Sequence, residues 1–477
     1  MPSFSHNYIG GERVASLGED LFEVRSPYND ELVGTVPAAT KGDIDLAVSA
    51  ARTAFDEGPW PSMSPAERQA VLKKFADLHA ARCDEFAQLI NRENGIPLMF
   101  CAGVQQYIPL LNAAYLDVAA RFPWEVTRPA MPQGETLQRC VPLGVVAVII
   151  PWNAPHQSAL AKLVPALLAG CTVVLKLAPE TGLDGHFLGE LFAEAGVPKG
   201  VVNILTADRE VSEHLVTHPD VDKIAFTGST AAGKRIATLA GEGLKRVSLE
   251  LGGKSAAIVL PDADLVATVE ALRFASFFSS GQACVAQTRV LVPAELHDRF
   301  VEALVEMVQG MKVGDPANPE TFIGPLVSKR QQERVWSYIE SGLAEGATLA
   351  AGGLGMPDGL TQGAFVRPTV FSNVKNSMRI AQEEIFGPVV CVIPYQDVDE
   401  AVALANDSPY GLAGGVWTAD HARGVEVARR IRTGTFAVNG SGPDCLAPFG
   451  GFKQSGIGRE FGEQGLSHYI EHQAIYL

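Results

Sequence analysis

The sequence predicts an α/β protein built on a parallel sheet, with a second α/β unit after the first. Three observations lead there. Short runs rich in Val and Ile read as strands buried on both faces. Helix-like segments lie between them, so that strand, helix and strand recur every 20–30 residues in the middle of the chain, the pattern of βαβ units. A further alternation of strands and helices follows after about residue 260.

The first 120 residues read as mainly helical, from 43–55 through 64–92. The stretch "TRPAMPQGETLQRCVPL", 127–143, breaks that pattern and reads as an extended hairpin around a Gly-containing turn. Strands are expected over 144–150, 172–177, 200–205, 221–226 and 255–260, and helices over 157–170, 183–195, 208–217 and 231–241. The second series gives helices over 262–279, 295–311, 328–345 and 419–432, and strands over 288–293, 365–371, 388–394, 414–418 and 435–439. Ligands of parallel sheets sit at the carboxyl ends of the strands.

Bulk properties narrow the function. A length of 477 residues suits two or three domains. With 47% hydrophobic and 19% charged residues the chain reads as a soluble globular protein. Its net charge of −16 argues against nucleic acid as a partner. The start "MPSFSHNYIGGERV" lacks a basic segment followed by an apolar one, so no signal peptide is expected. The longest uncharged apolar run, between Lys162 and Lys176, is shorter than the ~18 residues that span a membrane. Seven scattered cysteines without a CxxC point to a reducing, cytoplasmic setting. No HExxH and no His/Cys cluster signals a metal.

Several stretches carry chemistry. "KIAFTGSTAAGKRI", 223–236, is a strand, a Gly-Ser turn and a helix start. It fits either a capped helix or an anion site on outward-pointing N–H groups. Gly228 to Lys234 match a P-loop until Arg235 takes the place of the magnesium-binding hydroxyl. Lys176 ends a strand, as a surface lysine or a ribose contact. Glu250, in "VSLELGGKS", is either a structural acid or a base with raised proton affinity. In "FFSSGQACVAQTRV", Cys284 follows a Gly281-Gln282 turn among small residues. That leaves inert packing open beside an exposed thiol with room for a bound group. Asn153, in "IIPWNAPH", follows a strand; its amide suits either a turn or an oxyanion. "EEIFGPV", 383–389, joins two acids and an aromatic to a Gly-Pro turn.

Taken together, "PWN" 151–153, "FTGST" 226–230, "LELGGKS" 249–255, "GQACVA" 281–286, "EEIFGPV" 383–389 and "PFGGFKQSGIGRE" 448–460 resemble, in order and spacing, the NAD(P)-dependent aldehyde dehydrogenase superfamily over nearly the whole chain. The resemblance implies an aldehyde-dehydrogenase-like fold, with a Rossmann-type cofactor domain at 1–122 and 143–252. It further implies an α/β catalytic domain at 253–453 and a small β oligomerisation element at 123–142 and 454–477. Cys284 matches the nucleophile, Glu250 the general base, Asn153 the oxyanion donor and Lys162 a lysine of the catalytic region. Pro151, Trp152, Lys176, Pro179, Gly228, Ser229, Gly233, Leu251, Gly252, Glu384 and Phe386 match cofactor contacts. The implied reaction takes an aldehyde to a carboxylic acid through a Cys284 thiohemiacetal and thioester, with NAD as cofactor. The implied assembly is a homodimer or homotetramer.

Two positions depart from the family pattern. Pro179 stands where many members have a Glu that holds the adenosine ribose, which leaves NADP open. Ser279 replaces the usual Asn before the Gly-Gln turn. Ala154, Ser158 and Ala161 match channel walls that are often aromatic or Met, with His156 nearby; small walls lead us to expect a bulky apolar aldehyde, whether aromatic, terpenoid or medium-chain. A semialdehyde or small aliphatic aldehyde is the alternative. A thiol hydrolase or a non-catalytic scaffold is remote, since the dinucleotide features and the intact Cys284, Glu250 and Asn153 would then go unused.

Overall fold

The runs expected as strands lie side by side in two large sheets in the computed structural model, which describes every residue except Met1, Pro2, Ser441 and Pro443. Across the first sheet the strands are Gly456–Ile457, Arg246–Glu250, Lys223–Thr227, Val145–Ile149, Thr172–Leu177, Val202–Thr206, His6–Ile9 and Glu12–Ala15. The middle five are parallel and the outer ones antiparallel. The chain builds outward from Val145–Ile149 on one side, then returns to build on the other. The strand order therefore reverses beside Val145–Ile149, and a crevice opens at its carboxyl end. "PWN" and "FTGST" end the two strands that flank this crevice.

The second sheet runs Thr348–Ala351, Thr369–Ser372, Val389–Tyr395, Arg289–Pro293, Ala256–Val259, Gly414–Trp417 and Ala437–Val438. All its pairings are parallel except that of Thr348–Ala351. A third sheet joins Glu125–Pro129 and Glu135–Pro142 to Ile470–Tyr476. The hairpin expected at 127–143 thus forms and takes the C-terminal segment as its third strand.

Helix ends follow local chemistry. Thr40 and Asp43 form a reciprocal capping box, so the helix expected from 43 starts two residues earlier, at Lys41–Asp56. Pro368 lacks the N–H that a ladder needs, and the strand expected over 365–371 begins at Thr369.

The N-terminal region is mainly helical, as expected, and its early part adds short strands. Besides its helices this region holds His6–Ile9, Glu12–Ala15, Leu21–Arg25 and Leu32–Pro37, four to six residues each and with no clean alternation of buried and exposed positions. The helix Leu98–Arg121 extends the helical region beyond the named segments; it carries Pro109 and is apolar on more than one face. Among the described residues, no helix is long and apolar enough to cross a membrane.

Candidate functional site

The turn carrying Cys284 is strained and firmly held. Ser279, Ser280 and Gly281 have φ of 52°, 58° and 73°, three consecutive residues in the left-handed region. Such backbone costs of order 1–3 kcal/mol per non-glycine residue and persists only where the surroundings impose it. Here they do. The Ser280 hydroxyl donates to Gly324 O (3.1 Å) and accepts from Gly324 N (3.0 Å). Gln282 is fully buried, and its Oε1 accepts from Val327 N at 3.0 Å. At Gly281 any side chain would meet the carbonyl of Gly387. Asn visits this left-handed region more readily than most side chains, and here Ser279 occupies it.

Asn153 and the strand ends converge on this turn. Asn153 Nδ2 donates to the Gln282 carbonyl at 3.0 Å, two residues before Cys284. Asn94 Nδ2 donates to Trp152 O at 3.4 Å from the end of the helix Cys83–Asn94. The Gly252-Gly253 segment leaves the strand Arg246–Glu250 and packs so closely that a side chain on Gly253 would strike the Cys284 carbonyl. Glu384 lies over Gly252 and accepts from Gly253 N at 2.9 Å. Trp152 and Phe386 meet edge to face, 5.4 Å between ring centres, and Phe386 itself has φ of 63°.

Electrostatics follow burial. The half-buried Cys284 thiol is pushed up to about 12 by desolvation, then by Glu384 and Glu250. Desolvation lifts Glu384 to about 7, against the opposing bond from Gly253. Glu250 is held well above the usual carboxylate range by burial and by Glu460, while Lys162 and Arg459 oppose. Its Oε2 is buried with no hydrogen-bond partner among the described residues. Lys162 is 1% exposed and makes a 2.6 Å ion pair with Glu460, with further bonds to Thr227 Oγ1 (2.5 Å) and Ser158 O (3.3 Å).

The expected cofactor positions follow the carboxyl ends of the parallel strands. Ser229 caps the helix Thr230–Glu242, accepting from Ala232 N at 3.3 Å. Gly228 N donates to Glu250 O at 3.0 Å. Space beside Gly233 is filled by Leu251, itself buried and bonded to Ser455 O. Lys176 is buried rather than a surface lysine; desolvation lowers it to about 8, with Glu180 and Asp208 as opposing carboxylates. Pro179 is half-buried and opens a short 3-10 turn, and Pro151 is half-buried beside Trp152. Ala154 and Ser158 are half-buried, whereas Ala161 is buried and its carbonyl accepts from Tyr115 at 3.1 Å. His156 is buried and turned to His79 (3.2 Å) and Asp184 (3.1 Å to its carbonyl).

Sequence reasoning missed Glu460, Arg459 and the anchoring of the Gln282 side chain on Val327 N. The first two end the quoted "PFGGFKQSGIGRE" segment, and two adjacent charges in a Gly-rich run were the available signal. Among the described residues, no group of three or more His, Cys, Asp or Glu is placed to hold a metal.

Comparison with known proteins gives the family. The model of the aldehyde dehydrogenase family matches residues 14–475. The geranial dehydrogenase of Castellaniella defragrans is 43% identical over 473 residues, covering 99% of this chain and 98% of that one. The crystal structure of an aldehyde dehydrogenase from Mycobacterium tuberculosis complexed with NAD+ is 44% identical with a TM-score of 0.95, covering 100% of this chain and 98% of that one. A cysteine-to-alanine variant of aldehyde dehydrogenase C from Pseudomonas syringae, complexed with NAD+ and octanal, is 38% identical with a TM-score of 0.96, covering 99% and 96%.

Proposed function

The chain belongs to the aldehyde dehydrogenase family, and from that premise we propose a catalytic assignment for its residues. The enzyme oxidises aldehydes with NAD+. The crevice fits that cofactor: a capped helix start faces it, and Lys176 offers a buried amine with no bonded partner among the described residues. When bound, NAD+ supplies the hydride acceptor. Pro151, Trp152, Lys176, Pro179, Gly228, Ser229, Gly233, Leu251, Gly252, Glu384 and Phe386 line its site.

Cys284 is the nucleophile. Its thiolate adds to the aldehyde carbon and forms a thiohemiacetal. The oxyanion is held by Cys284 N–H and by Asn153, whose amide spends one of its two hydrogens on Gln282 and keeps the other. Loss of one such donor costs roughly 3–4 kcal/mol of transition-state stabilisation. Oxidation leaves a thioester on Cys284. Glu250 removes a proton from water, which attacks that thioester and releases the acid. Its Oε2, free of protein partners, is the accepting atom. Lys162, paired with Glu460, stands beside it and offsets the charge. The observation that carries this assignment is the convergence on one turn: Asn153 bonded to Gln282, and Gly253 packed on the Cys284 carbonyl.

The substrate is a bulky apolar aldehyde, terpenoid, aromatic or medium-chain. Support comes from the small, half-buried Ala154 and Ser158 and from the stacked Phe449 and Phe461 nearby, 5.5 Å between ring centres. The relatives that act on geranial or bind octanal point the same way. NAD is preferred over NADP, because Glu180 and Asp208 beside Lys176 would repel a 2′-phosphate. The cofactor domain spans 1–122 and 143–252 and the catalytic domain 253–453. The element at 123–142 and 454–477 joins copies into a homodimer or homotetramer, supported by the open edges of its three-stranded sheet. The protein is cytoplasmic, in keeping with seven free cysteines.

Initial rates of NADH formation test this. Geranial, benzaldehyde and octanal should give higher kcat/KM than acetaldehyde or succinate semialdehyde, and NAD+ a higher value than NADP+. The reverse order would contradict the substrate or the cofactor assignment separately.

A further inference from the structure

We propose that Arg459 is a positioning residue for water activation, gripping the glycine turns around Glu250 and balancing its charge. The role stands only if Glu250 is the base, as assigned above. A methyl group on Gly450 would lie 2.6 Å from Glu250 Oε1 and 3.1 Å from Arg459 Cδ. The carboxylate and the arginine stem therefore face each other across a bare Cα. Arg459 Nη1 donates to Gly451 O (3.2 Å) and Gly458 O (2.6 Å), and its guanidinium lies 5.4 Å from the Phe452 ring centre. Between those two turns, Gly456 is the ladder partner of Glu250. One side chain thus fixes both the loop against the carboxylate and the strand beside its backbone.

Charge points the same way. The ionisable groups facing Glu250 are Lys162 from the helix Pro155–Ala169, Glu460 and Arg459 from the C-terminal segment, and Cys284 from its turn. With the thiol neutral, two carboxylates meet two cations. Lys162 is committed to Glu460, Thr227 and Ser158. Without Arg459 the group carries a net negative charge, and Glu250 binds its proton more tightly. A base must be unprotonated to accept a proton, so the acid limb of turnover moves to higher pH.

Arg459→Gln tests this through the NADH burst and the steady-state rate across pH 6–10. The burst should persist while the acid limb of the steady-state rate rises by about one pH unit. Arg459→Lys should return the limb to its wild-type position. Should Arg459→Gln not fold, Arg459→Met keeps the stem on Phe452 and should show the same shift. An unmoved limb with a uniform loss of rate, or a limb that Lys does not restore, would overturn the proposal. Glu250→Gln run alongside separates the two claims. If it keeps steady-state turnover, the base is misassigned. If it stalls after the burst while the Arg459→Gln limb stays put, only the role of Arg459 falls.

Discussion

Lys162→Met tests the buried charge group most severely. The Lys162 and Glu460 side chains are 1% and 10% exposed, and their ion pair measures 2.6 Å. Removing the lysine strands two carboxylates, Glu460 and Glu250, with Arg459 alone to offset them. Breaking one side of a buried pair costs about 3–5 kcal/mol. With an unfolding entropy of about 2.1 cal/mol/K per residue, the 477-residue chain gives about 1 kcal/mol/K if it melts as one unit. The expected fall in Tm by calorimetry is therefore about 3–5 °C. The fall should depend on pH. Lys162 holds the proton affinity of Glu250 down, so its loss raises that of the folded carboxyl. A raised folded pKa adds stability below that value and loses it as pH rises through it. The deficit should therefore be smaller at pH 6 than at pH 9. Adding Glu460→Gln removes one stranded charge and should recover most of the loss. A Tm within 1 °C of wild type, or a double variant no better than the single, would refute the reasoning.

Glu384 raises the Cys284 thiol, so Glu384→Gln should lower it and speed alkylation by iodoacetamide at pH 8 by up to about tenfold; an unchanged rate would mean that Glu384 does not act on the thiol. Burial holds His79 at about 3 and His156, His186 and His468 at about 4. Below pH 6.5 the unfolded chain takes up protons these imidazoles refuse, at up to about 1.4 kcal/mol per pH unit for each, so Tm should fall steeply between pH 6.5 and 4.5, and a flat profile there would count against their burial as neutral rings.

Much of the architecture was legible because the central strands are buried on both faces and read as unbroken Val/Ile runs, as at Val145–Ile149. The N-terminal strands were missed because two of the four, Glu12–Ala15 and Leu21–Arg25, are mostly exposed and the other two are short, and Leu98–Arg121 because it is apolar without a clear stripe. At the site, ordered motifs picked out Cys284, Glu250 and Asn153, whose segments the fold brings together. What they could not convey was contact over long sequence separation. Lys162 meets Glu460 almost three hundred residues on, and His156 turns from the expected channel into a buried chain with His79 and Asp184. The break at Ser279 became intelligible only with its φ of 52° in hand.

The central claim is a thioester on Cys284 that Glu250 clears through water. The intact mass of Glu250→Gln, mixed with octanal and NAD+, tests it most directly. The account predicts one octanoyl group per chain, mapped to Cys284, with one NADH formed and turnover then stalled. Continued turnover, or an unmodified Cys284 after NADH has formed, would contradict it.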